Sequence, residues 1–152
     1  MEHMSFNKLE YRKLLSFNAA GRELRDKKRL LIYGTCVRDE HKEIFQKFAS
    51  ERIPLAVCLE EDHFNMVALK LASIVARVDL DEIVVLTVDG SPHCVQLHHL
   101  VEEVEKVTGK RVNVKHYVIE KKKAIEINRD IVKTARYLSK VKKLYERKSN
   151  NV

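Results

Sequence analysis

Residues 82–94 read Glu82-Ile83-Val84-Val85-Leu86-Thr87-Val88-Asp89-Gly90-Ser91-Pro92-His93-Cys94. From Ile83 to Val88 the run is aliphatic and β-branched with little alternation, the pattern of a strand covered on both faces. The spacing predicts a strand over 82–89 that ends at Gly90. Ser91 can then accept a hydrogen bond from the first turn of a helix. Pro92 suits the first helical position, where its missing N–H costs nothing. Strand, tight turn and capped helix make half of a parallel βαβ unit.

Working outward, Arg29-Leu-Leu-Ile-Tyr-Gly34 and Ile53-Pro-Leu-Ala-Val-Cys58-Leu59 are two further apolar runs of strand length. A helix is expected over 40–51 with Asp39 as its N-cap, and another over 62–78 behind Glu60, Glu61 and Asp62. The helix opened by Ser91-Pro92 carries Leu97, Leu100, Val101, Val104 and Val107 and closes at Gly109. Arg111 to Ile119 alternates and is expected as a half-exposed edge strand. Two long helices complete the reading. One is N-terminal, over 5–27. The other is basic and C-terminal, over 124–147, with Ile127, Ile131, Ala135, Leu138, Val141 and Tyr145 as its seam.

The expected fold class is therefore α/β: a short, mostly parallel four-stranded sheet in the order 2-1-3-4, with helices on both faces. This is a flavodoxin/Rossmann-like three-layer arrangement in one domain over 1–152, with its β/α core at 29–119. The helix at 62–78 is apolar on most sides. Its outer face, expected to be Val67, Leu71, Ile74 and Val78, needs cover from the N-terminal helix or from a second copy in a homodimer.

At 152 residues the chain has room for one ordinary core. Charged residues make up 34%, above the roughly 25% average, and there are only four Gly and two Pro, a composition common in heat-stable proteins. Met1-Glu2-His3-Met4 is polar and residues 5–26 alternate apolar with charged groups, so no secretory core is read. Phe64 to Leu80 is interrupted by Asn65, Lys70, Ser73, Arg77 and Asp79, which excludes a membrane span there. Three cysteines without a CxxC pair do not make a secreted disulfide framework, and the expected location is cytoplasmic.

Those cysteines are the most informative residues. Cys36, Cys58 and Cys94 fall at or just beyond the ends of strands one, two and three, and a parallel sheet places all such ends on one edge. Three thiolates with one further ligand, His93 or His98, suit a zinc site of three cysteines and one histidine, or an iron–sulfur cluster with one open iron. Cys94 also allows a metal-free reading as a nucleophile. It lies in the first turn of its helix, where the dipole depresses a thiol's pKa, and His93 is beside it. Plain core packing is the alternative, and it suits Cys58, between Val57 and Leu59, better than Cys36 or Cys94. Neither a GxGxxG nor a P-loop lysine motif occurs.

The net charge of +7 is concentrated. Residues 121–148 hold eleven Lys and Arg against Glu126, Asp130 and Glu146, leaving the rest of the chain near neutrality. Lys133, Arg136, Lys140, Lys143 and Arg147 recur at helical spacing and could track the phosphates of a nucleic acid or meet an acidic partner.

Glu-Asp-His-Phe-Asn-Met at 61–66 and Thr-Val-Asp-Gly-Ser-Pro-His-Cys at 87–94 resemble a group of small α/β proteins from heat-loving microbes, some labelled 4Fe–4S or ferredoxin-related. That resemblance implies an iron–sulfur context for Cys94, although the CxxCxxC runs of ferredoxins are absent. The functions expected are a metal or 4Fe–4S binding protein in redox or accessory work, a basic binding module, or a cysteine-nucleophile enzyme.

Overall fold

The computed structural model describes residues 12–150. A single 3-10 turn at Leu14–Ser16 leads to α1 (Arg22–Lys27), then β1 (Arg29–Gly34), α2 (Thr35–Glu40) and α3 (Lys42–Ala49). These are followed by β2 (Ile53–Val57), α4 (Phe64–Arg77), β3 (Glu82–Val88) and α5 (Pro92–Thr108). The chain ends with β4 (Val114–Glu120), β5 (Lys123–Ile127), α6 (Arg129–Thr134) and α7 (Leu138–Asn150). One five-stranded sheet runs β2-β1-β3-β4-β5, parallel except for β5.

β1 and β3 are central because both faces of each are apolar. Leu30, Ile32, Ile83 and Val85 pack under α4 and α5, while Leu31, Tyr33, Val84 and Leu86 pack against Val37 of α2 and Phe45 of α3. The order 2-1-3-4 is as expected for the four parallel strands. A right-handed crossover to the left puts α2 and α3 on one face, and crossovers to the right put α4 and α5 on the other.

Several local expectations are corrected. The sheet has a fifth strand, so β4 is internal and β5 forms the edge. The long C-terminal helix over 124–147 does not exist as one element. Lys121 and Lys122 both take positive φ, 49° and 62°, and make a two-residue hairpin turn that pairs Glu120 with Lys123. Lys123-Ala-Ile-Glu-Ile127 alternates as a strand and only then gives way to α6, capped by Asn128 Oδ1 accepting from Ile131 N at 2.9 Å. The predicted seam is accordingly split among β5, α6 and α7.

At the other end, the expected helix over 5–27 lies in part outside the described residues. From Arg12 onward it is replaced by the 3-10 turn and the short α1. Asn18 bends the chain between them, its Oδ1 accepting from Ala20 N, and Gly21 caps α1. Asp39 is inside α2 rather than an N-cap, and the helix resumes after His41. Glu60, Glu61 and Asp62 sit in a turn before α4 rather than in its first turn. Val67, Leu71, Ile74 and Val78 are not an outer face but are buried against the sheet, α5 and the Leu14 turn. Phe64, Met66 and Leu69 are the exposed apolar residues of α4. Among the described residues no helix is long and apolar enough to cross a membrane.

Two adjacent L-residues in the left-handed region cost on the order of 1 kcal/mol each, and a turn of this type favours Asn-Gly. Changing Lys121→Asn together with Lys122→Gly is expected to raise stability by about 1 kcal/mol, read as a higher urea midpoint at unchanged slope. A lower midpoint would mean that the lysines make contacts the turn depends on.

Candidate functional site

Because β2, β1 and β3 are parallel, Val57, Gly34 and Val88 end on one edge of the sheet, and the chain beyond each carries a cysteine. Cys58 follows β2 directly. The turn after it is tight: Glu61 N and Asp62 N both donate to the Cys58 carbonyl, and Cys58 N donates to Asp62 Oδ2 at 3.3 Å. Cys36 is the second residue of α2. Cys94 is the third residue of α5, whose N-cap Ser91 accepts from His93 N at 3.2 Å. Gly90, at φ 112°, turns the chain from β3 into that cap.

All three cysteines line one cleft of about 360 Å³, together with Glu40, Glu60, Asp89 and His93. The cleft lies where the crossover leaving β1 goes one way and that leaving β3 goes the other, the point at which open α/β sheets bind ligands. A larger cavity, about 840 Å³, lies elsewhere, beside Arg12 and the amino end of β2, and is lined by no cysteine.

The thiols sense one another. Burial pushes the Cys94 thiol up, and the charges of Cys36 and Cys58 add to the rise, against hydrogen bonds from Ser91 and the Val88 backbone that lower it. Burial also pushes Cys36 up, aided by Glu40, Cys58 and Asp39. The depressed pKa expected of a nucleophilic Cys94 is thus reversed: burial outweighs the hydrogen bonds from Ser91 and Val88.

Among the described residues no three of His, Cys, Asp and Glu are arranged to hold a single metal ion. His93 borders the cleft, with Nδ1 3.6 Å from Glu60 Oε1. His98, the other histidine expected as a ligand, is committed elsewhere. Its Nε2 lies 2.9 Å from Thr87 Oγ1 and its Nδ1 lies 2.8 Å from His116 Nδ1. His116 Nε2 in turn meets Glu102 Oε2 at 3.1 Å, and Arg129 lies 3.4 Å from the other Glu102 oxygen.

Sequence reasoning misses this buried chain, although its signal is present in two pieces. His98 adjoins Leu97 and stands near Val101 on the buried side of α5, and His116 shares a face of β4 with Val114 and Val118. Its partners set its protons. An ionised Glu102 accepts from His116 Nε2–H, and the two facing Nδ1 atoms share one proton between the rings. Thr87 Oγ1 completes the chain at His98 Nε2. Burial pushes His98 down to about 3, with His116 and His99 contributing. Burial works to raise the Glu102 carboxyl, but the His116 hydrogen bond and Arg129 outweigh it and hold it below its usual range.

The sign of the pH dependence follows. His98 is neutral when folded and free to protonate near 6.5 when unfolded, so unfolding takes up a proton as pH falls from 6.5 toward 3. Stability is expected to fall across that window by up to about 1.4 kcal/mol per pH unit from this residue. A ¹⁵N titration should find the His98 ring neutral throughout pH 5–8. A protonated ring at pH 5 contradicts the wiring.

No curated protein and no solved structure matches the chain. The model of one family, described as a Rossmann-like domain, matches residues 23–151, from α1 to the end of α7. The strand order, the crossovers on both faces and the cleft at the switch point agree with that match, and the chain belongs to the Rossmann-like domain family.

Proposed function

We propose that this domain binds an iron–sulfur cluster of the 4Fe–4S type through Cys36, Cys58 and Cys94, in redox or accessory work. The observation that carries the reading is that three thiols from three adjacent strand ends share one cleft, each within electrostatic reach of the other two. Three such thiolates repel one another, and bound iron both offsets that charge and holds the sulfurs deprotonated. A single zinc requires donors that converge on one point at about 2.3 Å from each sulfur. A four-iron cluster is itself extended and takes each thiolate at a separate corner. Among the described residues no three donors are grouped for one ion, which favours the cluster over zinc. With three cysteines, one iron is left for Glu60, His93 or an external ligand.

Protein purified or reconstituted without oxygen is expected to be brown, with about four iron and four sulfide per chain. Cys36→Ser, Cys58→Ser and Cys94→Ser should each lower the iron content. One zinc per chain, lost in the same variants, would replace the cluster with a zinc site on the same three cysteines. Rapid alkylation of all three cysteines in oxygen-protected, iron-loaded protein would overturn both.

A second reading, binding of nucleic acid or an acidic partner, is favoured by α7. No residue of that helix is buried, Lys140, Lys143 and Arg147 lie on one side of it, and among the described residues only its Lys142 has an ion pair, with Glu146. If the helix tracks phosphates, affinity for a single- or double-stranded oligonucleotide should fall steeply with salt. Replacing Lys140, Lys143 and Arg147 by Ala should reduce both the affinity and the salt slope, by about 0.7–0.9 for each phosphate no longer neutralised. Binding that is absent at low salt, or unchanged in the variant, removes this reading.

A further inference from the structure

A second cavity of about 370 Å³ lies behind Cys94, between β3 and α5 on one side and the β5–α6 extension on the other. Its walls are largely aliphatic. Val95, Ile125 and Ile131, each between 42% and 51% exposed, stand at its rim as apolar surface that no other part of the described chain covers. Thr87 and His98 are at its floor. They are polar in name only, because the hydroxyl and both ring nitrogens are spent within the buried chain to His116 and Glu102.

Asp89, His99 and Glu120 also line it, and their side chains make no hydrogen bond among the described residues, whereas Ser91 is spent as the cap of α5. Burial and Arg136 hold His99 below its ordinary pKa, so it adds no positive charge near neutrality. Neither Asp89 nor Glu120 has an ion-pair partner among the described residues. No lysine or arginine lines the cavity.

We propose that this cavity binds a small molecule with an aliphatic or aromatic body and a protonated amine. The body fills the slot between Val95, Ile125 and Ile131. The ammonium faces the two unpaired carboxylates, whose charge also rejects an anion of the same shape. The site does not depend on the reading of the cysteine cleft, although the Val88–Ser91 turn and Cys94 form a wall common to both.

The test uses the full chain and three probes of one shape: 2-phenylethylamine, 2-phenylethanol and 3-phenylpropanoate. Binding is read by calorimetry and by the methyl resonances of Ile125 and Ile131. The amine is expected to bind saturably, the alcohol more weakly, and the carboxylate not at all. Asp89→Asn with Glu120→Gln should weaken the amine at least about tenfold (~1.4 kcal/mol) and leave the alcohol unchanged. Ala135→Trp, a change at the exposed rim, should narrow the mouth and weaken amine and alcohol alike. The Cys36→Ser, Cys58→Ser protein should bind the amine as before, which separates this site from the cysteine cleft. The proposal is overturned if no probe saturates by about 10 mM, if the carboxylate binds as well as the amine, or if the double variant loses nothing.

Discussion

The pairing of β1 with β3 is the constraint from which the rest follows. Leu30–Tyr33 and Ile83–Leu86 are buried on both faces, so the two strands must lie side by side under helices above and below. A parallel pair cannot be joined by a turn, and the chain between them must leave, form β2 on the far side of β1 and cross back. That detour opens the switch point. The first residues after β1 and β3 are held apart by diverging crossovers, and the space between them becomes the cleft that receives Cys36 and Cys94. Cys58 joins them because β2 is the other neighbour of β1.

What is legible in the sequence is what such burial dictates. The three aliphatic runs mark their strands within a residue or two, Ser91-Pro92 marks the start of α5, and Gly109 marks its end in the left-handed conformation at φ 70°. The cysteines' common edge needs only parallel strands and chain position. Their sharing of one cleft is readable for the same reason: strand ends are places the backbone fixes, whatever the loops do.

The parts that are not legible depend on choices the local sequence leaves open. Lys121-Lys122 is a poor signal for a hairpin, since nothing in two lysines announces positive φ. Lys123 to Ile127 reads as part of a helical seam because Ile127, Ile131 and Ala135 are spaced for one. Tertiary pairing with β4 decides against the helix, and Asn128 then restarts the chain as α6. The histidine chain is invisible for a different reason. His98 and His116 are 18 positions apart and meet only because α5 packs back over β4. Polar groups on two apolar faces signal that each must find a partner, but not which one.

The ends of the sheet also differ in charge, and this difference organises the surface. At the amino end, buried Glu82 is held by Arg52 Nε at 2.7 Å, by Arg29 at 3.2 Å and by Lys115 at 3.8 Å. Burial would raise its carboxyl, yet the two arginines hold it below the usual range, so it stays ionised and pins the starts of β1, β3 and β4 together. Stripping its partners would strand a buried charge at a cost of about 3–5 kcal/mol. At the carboxyl end Asp89 and Glu120 have no ion-pair partner among the described residues, and Glu60 has only His93 within 4 Å. Groups that a fold neutralises internally serve the fold. Groups of the same kind left uncompensated border two adjoining cavities, at the edge of the sheet where the three cysteines stand.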